Sequence, residues 1–196
     1  CDFIDPMCGG GTLLIEAAMK ALNIPAGFYR NEYGFYYWKN FDRSAWKRVR
    51  NEADIKDDVD INFYGSDIEP HFLNFARENA KHAQLQDFIT FKTQDMRTSK
   101  PERTPSLVMM NPPYGERLEV DDINTLYSEI GDTLKNQYAG CKAFLISSDK
   151  EALKHIALHP SKKATLFNGP LECKFLGYDL FEGDHKSFVM QNQQNV

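Results

Sequence analysis

The chain has 196 residues, of which 42% are hydrophobic and 26% charged, and its net charge is −5. These are the values of a folded globular domain, and they exclude wholesale disorder. Proteins that bind RNA unaided usually carry a basic face, because phosphate contacts dominate their affinity. An acidic domain is therefore expected to take most of any RNA affinity from another module.

Apolar and cysteine patterns exclude further classes. No apolar run approaches the roughly 18 residues that a membrane span needs, so no membrane partner is expected. The cysteines lie far apart and form no CxxC pair; they are Cys1, Cys8, Cys141 and Cys173. We interpret them as buried thiols of a cytoplasmic protein, without disulfides or a zinc site. The five histidines also lack ligand spacing, and no metal is expected.

Short apolar segments alternate with amphipathic ones along most of the chain. Strands are predicted over residues 1–4, 61–67, 88–91, 106–110 and 141–148. Helices are predicted over residues 12–22, 44–56, 123–134 and 150–157, and a further helix has Pro70 in its first position. The inner stripe of that helix is predicted to comprise Phe72, Phe75, Ala76, Asn79, Ala80 and Ala83. Two last strands, 164–167 and 171–181, flank the turn 168–170.

This order of elements predicts an α/β fold. Its sheet is mostly parallel and seven-stranded, with helices on both faces and an antiparallel C-terminal hairpin. We assign residues 1–181 to one domain and residues 182–196 to a polar tail or linker. Because Cys1 already lies in an apolar strand, we interpret the chain as a piece of a longer protein, truncated at its N-terminus.

Polar residues follow each of the first four predicted strands. They are Asp5 with the turn of Cys8, Gly9, Gly10 and Gly11, then Asp67, Asp95 and Asn111. In an open α/β sheet the carboxyl ends of parallel strands meet at one edge, where ligands bind. Glycines also let a backbone approach a ligand closely. The pattern therefore predicts a nucleotide-like cofactor at this edge.

The acid at the start of the glycine turn separates two cofactors. A nicotinamide enzyme holds pyrophosphate at the helix N-terminus, and Asp5 would repel that group. The cationic methionine end of S-adenosylmethionine (SAM) would instead pair with Asp5. In this hypothesis Asp67 accepts hydrogen bonds from the ribose hydroxyls and Asp95 from the adenine amine. Ile68 and Met96 flank the adenine ring.

Residues 24–60 form an insertion that is rich in aromatic residues between positions 28 and 41. It precedes the acid after the second strand, so we expect it beside the cofactor edge of the sheet. Such aromatics either pack into a local core that anchors the excursion, or stack on RNA bases or cap the pocket. The pattern favours the local core and leaves the other two interpretations open.

The turn Asn111-Pro112-Pro113-Tyr114 ends the fourth predicted strand. An exocyclic amine of a nucleobase is a poor nucleophile, because its lone pair is delocalised into the ring. The Asn111 side-chain oxygen and the Pro112 carbonyl could accept both amine protons, and the successive prolines hold these acceptors in place. Tyr114 could then stack on a base that has left its helix or loop. This turn predicts methyl transfer to such an amine.

Three motifs resemble those of one family. They span residues 5–18, 111–118 and 168–173, and read DPMCGGGTLLIEAA, NPPYGERL and NGPLEC. The chain is similar, over nearly its whole length, to the bacterial 23S ribosomal RNA guanine-N2 methyltransferases that carry a THUMP domain. Gly10 stands where this family commonly has serine.

The resemblance implies a class I SAM-dependent, Rossmann-like methyltransferase fold and N2-methylguanosine in 23S ribosomal RNA (rRNA) as product. Carried onto this chain, the cofactor residues are Asp5, Gly9, Gly11, Asp67 and Asp95, and the catalytic turn is 111–114. It also implies an upstream THUMP module that grips RNA and an upstream segment that helps to cover the methionine end of SAM. Some members continue into a second methyltransferase domain.

Other functions stay open at this point. Transfer RNA guanine-N2 methyltransferases and adenine-N6 methyltransferases of RNA or DNA use the same turn, and the sequence does not separate them. A non-catalytic SAM- or RNA-binding domain is a further alternative. The intact Asn111 turn disfavours it, because a scaffold needs no pair of amine acceptors.

Overall fold

Seven strands form a single sheet in the computed structural model, which describes residues 1–114 and 120–183. The strands are β1 (Asp2–Asp5), β2 (Phe63–Asp67), β3 (Ile89–Thr93), β4 (Ser106–Met110), β5 (Lys142–Ser147), β6 (Lys162–Asn168) and β7 (Leu171–Asp179). Their order is β3-β2-β1-β4-β5-β7-β6, and β1 to β5 are parallel. Strand β7 is antiparallel to both β5 and β6. The predicted mixed sheet is confirmed.

Helices connect the parallel strands. They are α1 (Thr12–Ala21), α2 (Arg43–Asn51), α3 (Pro70–His82) and α4 (Val120–Gln137). The helix predicted over residues 150–157 is instead a short 3₁₀ segment, Ala152–Ile156. The backbone at Ala157 turns left-handed, with φ of 53°, and this ends the segment. Within residues 1–114 and 120–183, no helix is long and apolar enough to cross a membrane.

The core lies on both faces of the sheet. Adjacent residues of β1 point to opposite faces: Phe3 packs with α1 and α3 through Leu14 and Leu73, whereas Ile4 packs with α4 through Ile130. Burial of apolar side chains on both faces is what a parallel sheet requires. The prediction of helices on both faces is therefore confirmed.

The inner stripe predicted for α3 is partly wrong. The buried residues are Leu73, Ala76 and Ala80, while Phe72 and Phe75 are exposed. The spacing of three and four residues selects the positions that face the sheet, and both phenylalanines fall outside it. Pro70 does occupy the first helical position, as predicted.

Three of the four cysteines are buried, which confirms the interpretation for Cys8, Cys141 and Cys173. Cys1 is exposed and precedes β1, so the interpretation as a buried thiol is wrong for this residue. In the described part of the chain, no cluster of His, Cys, Asp and Glu side chains has the arrangement of a metal site.

The aromatic insertion lies at the opposite end of the sheet from the one expected. Helix α1 starts at the carboxyl end of β1 and runs back, so the insertion leaves α1 where the strands begin. Lys56 N donates to the Leu22 carbonyl, which ties the end of the insertion to the end of α1. The expectation that the insertion borders the cofactor edge is therefore wrong.

The aromatic side chains of the insertion pack mainly on one another. Tyr33 stacks on Phe35 with ring centroids 4.9 Å apart, and Trp46 of α2 contacts both rings at 5.0–5.1 Å. Trp46 Nε1 donates to the Tyr36 hydroxyl. This clustering supports the local core that the sequence favoured, but none of the residues 34–37 or 43–51 is fully buried, and Tyr37 and Trp38 are exposed.

Candidate active site

The polar residues at the carboxyl ends of β1, β2, β3 and β4 lie at one edge of the sheet. All four strands are parallel, so their carboxyl ends point the same way. Strands β1 and β4 are the central neighbours, and the order of strands reverses between them. This is the switch point at which open α/β sheets bind their ligands. The structure thus brings the Asp5 loop and the Asn111 turn side by side.

Asp67 holds the glycine loop over the end of β2. Its Oδ2 accepts the Gly9 N–H at 2.9 Å, and its Oδ1 accepts the Glu69 N–H at 3.0 Å. The Cys8 N–H donates to the Ser66 carbonyl at 2.9 Å. Asp67 is half-buried, and carboxylate oxygens can each accept more than one hydrogen bond. It therefore shapes the loop and retains acceptor capacity for a ligand.

The glycines of the loop are required for different reasons. Gly9 and Gly11 have φ of 51° and 80°, a left-handed conformation that favours glycine. A Cβ at Gly11 would also come within 3.2 Å of Ala76 and 3.3 Å of Phe91, whereas one at Gly9 would meet open space. Gly11 thus lets α1 pack closely against α3 and β3. Of these two glycines, only Gly9 has the open space beside its backbone that the predicted close approach of a ligand requires.

Asp5 is buried, with 2% of its surface exposed. Its Oδ1 accepts the Met7 N–H at 3.1 Å. Burial, together with repulsion from Asp67, raises the pKa of Asp5 to about 8. The carboxyl is then largely protonated at pH 7, unless a cation approaches it. The negative charge of Asp5, which the sequence argument for SAM assumed, therefore depends on a cation lying close to the carboxyl group.

The residues after β2 and β3 line a cleft of about 170 Å³, which includes Pro6, Met7, Asp67, Ile68, Asp95 and Met96. Ile68 is exposed and Met96 is buried, so they form an apolar rim and floor. Leu126 and Glu129 of α4 complete the wall. This cleft unites the residues predicted to hold the ribose and adenine.

Asp95 has a partner that the sequence did not indicate. Its Oδ1 accepts the backbone N–H of Arg97 at 2.9 Å and the Arg97 Nε at 3.0 Å. These hydrogen bonds hold the pKa of Asp95 below its usual range. The Arg97 guanidinium continues to Glu129, 3.2 Å away. Asp95 is thus an ionised acceptor at the mouth of the cleft.

The turn after β4 is fixed from below by α4. Pro112 is buried and Asn111 is exposed. The Tyr127 hydroxyl, fully buried on α4, donates to the Pro113 carbonyl at 3.4 Å. The Pro113 carbonyl thus already has a partner and is not one of the two acceptors predicted for the amine.

Tyr127 is itself held by Ser147 at the carboxyl end of β5. Their oxygens are 2.7 Å apart, and the Ser147 Oγ also accepts the Asp149 N–H at 3.1 Å. A tyrosine hydroxyl has a single hydrogen, so when Tyr127 donates to Pro113 it accepts from Ser147. A chain of hydrogen bonds therefore runs from the loop after β5 to the Asn111 turn.

The hairpin of β6 and β7 contacts the same turn. Asn168 Nδ2 donates to the Tyr114 hydroxyl at 3.1 Å. The next residue, Gly169, has φ of 60° and closes the hairpin. The antiparallel register places Lys174 opposite Ser147, so Leu171 extends beyond the end of β5. The tip of the hairpin thus overhangs the carboxyl edge of the sheet.

Sequence analysis gave no role to four residues that contact the predicted site residues or support the turn: Arg97, Tyr127, Ser147 and Asn168. Tyr127 had a visible signal, since it is the one polar-tipped residue in the apolar stripe of Ile123, Ile130 and Leu134. The last part of the motif 111–118, and the tail from residue 184, lie outside the described residues.

Residues 2–176 match the sequence family UPF0020, described as RMKL-like, methyltransferase domain. The chain belongs to this family. It has the class I methyltransferase fold, and SAM is the cofactor that family and fold imply. The resemblance to large-subunit rRNA methyltransferases is confirmed.

Among the relatives is the ribosomal RNA large subunit methyltransferase K/L of Shewanella frigidimarina, which is 38% identical over 199 residues. The match covers 98% of this chain and 28% of that protein. The same methyltransferase of Shewanella baltica is 38% identical over 183 residues, covering 90% of this chain and 26% of the relative. The chain spans about a quarter of the length of these curated relatives.

Solved structures share this fold closely. SMU.472, whose crystal structure is complexed with S-adenosylhomocysteine (SAH), has a TM-score of 0.83 and 31% identity, over 93% of this chain and 49% of the other. A predicted N6-adenine-specific DNA methylase from Listeria monocytogenes has a TM-score of 0.76 and 30% identity, over 91% of this chain and 46% of the other.

Proposed function

We propose that this domain transfers a methyl group from SAM to the exocyclic N2 amine of a guanosine in 23S rRNA, where an upstream THUMP module supplies most of the RNA affinity. The observation that carries the proposal is the Asn111–Tyr114 turn, anchored beside a cofactor-type cleft at the switch point of the sheet. The names of the rRNA methyltransferase K/L relatives favour a ribosomal substrate. Such a substrate makes the cytoplasm the expected place of action.

The residues at this edge suit SAM chemically. Asp67 and Asp95 offer carboxylate acceptors at successive strand ends, and Gly9 offers backbone with open space in front of it. Ile68 and Met96 offer apolar surface for a flat ring. When bound, SAM supplies an electrophilic methyl group on a sulfonium.

The protein's own part in the reaction is to orient the amine. The Asn111 side-chain oxygen and the Pro112 carbonyl accept its two protons, which localises the lone pair on nitrogen and aims it at the methyl group. Tyr127 keeps the turn in place through Pro113, so these acceptors need no rearrangement. No dedicated general base is required, because the amine becomes strongly acidic as the methyl group arrives. Catalysis is then mainly orientation.

Two substitutions separate the roles. Asn111→Ala should abolish methyl transfer and leave SAH affinity within a few fold. Asp67→Ala should weaken SAH binding first, because it removes the ribose acceptor and releases the Gly9 loop. Calorimetric titration with SAH and transfer of labelled methyl to unmodified 23S rRNA measure the two effects. The roles would be contradicted if Asn111→Ala lost SAH binding and its methyl transfer fell only as much as the weaker binding explains.

The identity of the methylated nucleoside tests the substrate. We expect N2-methylguanosine when the labelled rRNA is digested and its nucleosides are separated by mass. An adenine-N6 enzyme would yield N6-methyladenosine. This function is the second candidate, because the Listeria relative is named as a predicted N6-adenine-specific DNA methylase. Methylation of transfer RNA but not of 23S rRNA would identify the third candidate, a transfer RNA guanine-N2 methyltransferase. A scaffold would bind SAH and methylate none of these RNAs.

A further inference from the structure

A second cleft, of about 570 Å³, lies between the 3₁₀ segment Ala152–Ile156 and the outer strand β6. Apolar side chains line it, among them Leu153, Leu158 and Leu176. Its walls carry Lys150, Lys154, Lys163 and Lys174. In the described parts of the chain, these lysines are the only charged residues that line the cleft.

This is a local concentration of positive charge in a domain whose net charge is −5. Two carboxylates accompany the four lysines: Glu172 lies 3.0 Å from Lys150 and 3.1 Å from Lys174, and Glu151 pairs with Lys154. Glu172 thus holds two ammonium groups together at one end of the cleft. Lys163 forms no ion pair with any residue in the ranges 1–114 and 120–183.

One wall residue of the cleft, Lys174, lies at the same edge of the sheet as the Asn111 turn. Lys174 lies opposite Ser147 in the register of β5 and β7. Ser147 contacts Tyr127, which donates to the Pro113 carbonyl. Tyr127 and Ser147 thus connect the Lys174 end of the cleft to the Asn111 turn through the protein interior.

We propose that this cleft binds the phosphodiester backbone of the RNA substrate next to the target nucleotide. The inference rests on the proposed function. Lysine ammonium groups contact phosphates as point charges, without regard to base sequence. The side chains of Lys150, Lys154 and Lys163 are largely exposed, so their ammonium groups are accessible to a phosphate in solution. The cleft would hold the strand in register while the catalytic turn receives the base.

The test measures how salt affects RNA binding. Lys154→Gln with Lys163→Gln removes two charges from the cleft and leaves Glu172 and its two lysines untouched. Lys20→Gln with Lys81→Gln removes two charges from exposed positions on α1 and α3 and is the matched control. The probe is a fluorescein-labelled single-stranded RNA oligonucleotide, titrated by anisotropy at several NaCl concentrations. SAH affinity and thermal midpoint are measured for each protein and should match the wild type.

For single strands the slope of log K against log salt changes by about 0.7 for each phosphate contact. We expect the cleft variant to lose about 1.4 of this slope, and the control to lose none. A cleft variant that matches the control would overturn the inference, as would a wild type that does not bind the oligonucleotide at low salt. The proposed function fails separately, if the wild type neither binds SAH nor methylates RNA.

Discussion

The Asn168 side-chain amide donates to the Tyr114 hydroxyl at 3.1 Å, although 54 residues separate the two in the chain. Asn168 ends β6 at the hairpin tip, and Tyr114 ends the turn that follows β4. The hydrogen bond fixes the position of the ring that is proposed to stack on the target base. The C-terminal hairpin is therefore part of the candidate active site, as well as an edge of the sheet.

Asn168→Ala should impair RNA methylation without changing cofactor binding. The Tyr114 ring loses one restraint, so we expect kcat/KM for RNA to fall about 5- to 10-fold, equivalent to the ~1 kcal/mol that a hydrogen bond typically contributes. Tyr114→Phe should cause a similar loss, and the double variant no more than either alone. Additive losses would show that the two side chains act independently.

Tyr127→Phe should destabilise the fold and loosen the Asn111 turn. The ring still fills its site, but the hydroxyl between Ser147 and Pro113 is lost. Leaving buried polar groups without partners costs about 1–3 kcal/mol, which urea unfolding would measure. We expect kcat to fall several fold, while SAH affinity stays within a factor of two. A variant with wild-type kcat would mean that Pro113 needs no support from α4.

Sequence reasoning correctly placed the predicted cofactor residues at one edge of the sheet, because that inference depends only on where each strand ends. Asp5, Asp67 and Asp95 each follow an apolar strand, and a parallel sheet brings strand ends together whatever their order. The Asn111 turn was found for the same reason. The hairpin was visible as two β-rich segments about an Asn-Gly-Pro turn.

What the sequence missed depends on contacts between distant elements. Asn168 reaches Tyr114 because the hairpin extends past the end of β5, and the hydrophobic periodicity of the sequence does not predict how far it extends. The same holds for Arg97, whose side chain folds back onto Asp95. The predicted position of the insertion was wrong. The prediction assumed that a segment close in sequence to the acid after β2 also lies at the carboxyl edge, but α1 carries the chain back to the other end of the sheet before the insertion begins.

The glycine turn should respond to substitution position by position. Gly11→Ala combines a left-handed φ with close contacts to Ala76 and Phe91, so we expect a loss of at least about 1–2 kcal/mol in the free energy of unfolding. Gly9→Ala meets open space and should lose about 1 kcal/mol through its φ alone. Gly10→Ser should be nearly neutral, because its Cβ would lie 3.4 Å from the Asn79 amide, an ordinary contact. Urea unfolding of the three variants checks this order, and an equal loss at Gly10 and Gly11 would contradict it.

The buried carboxyl of Asp5 should make stability depend on pH. Its pKa is about 8 in the folded chain and near 3.8 when exposed, so between these values the folded state holds a proton that the unfolded state has lost. Stability should therefore fall as pH rises from about 4 to 8, by up to ~1.4 kcal/mol per unit of pKa difference. Asp5→Asn keeps an acceptor for the Met7 N–H but cannot ionise, and should flatten this slope. Thermal midpoints of both proteins at pH 5, 6, 7 and 8 measure it, and parallel curves would show that another group is responsible.

Proton release from Asp5 should show whether the ammonium group of the ligand binds beside this carboxyl. If the ammonium of SAH pairs with Asp5, it favours the carboxylate, and binding at pH 7 should release close to one proton. Calorimetric titration in two buffers of different ionisation enthalpy counts that proton. Asp5→Asn, which has no such proton to release, is the matched control. Equal proton release by both proteins would mean that the methionine end of the ligand lies elsewhere, and that Asp5 serves only to hold the turn through Met7.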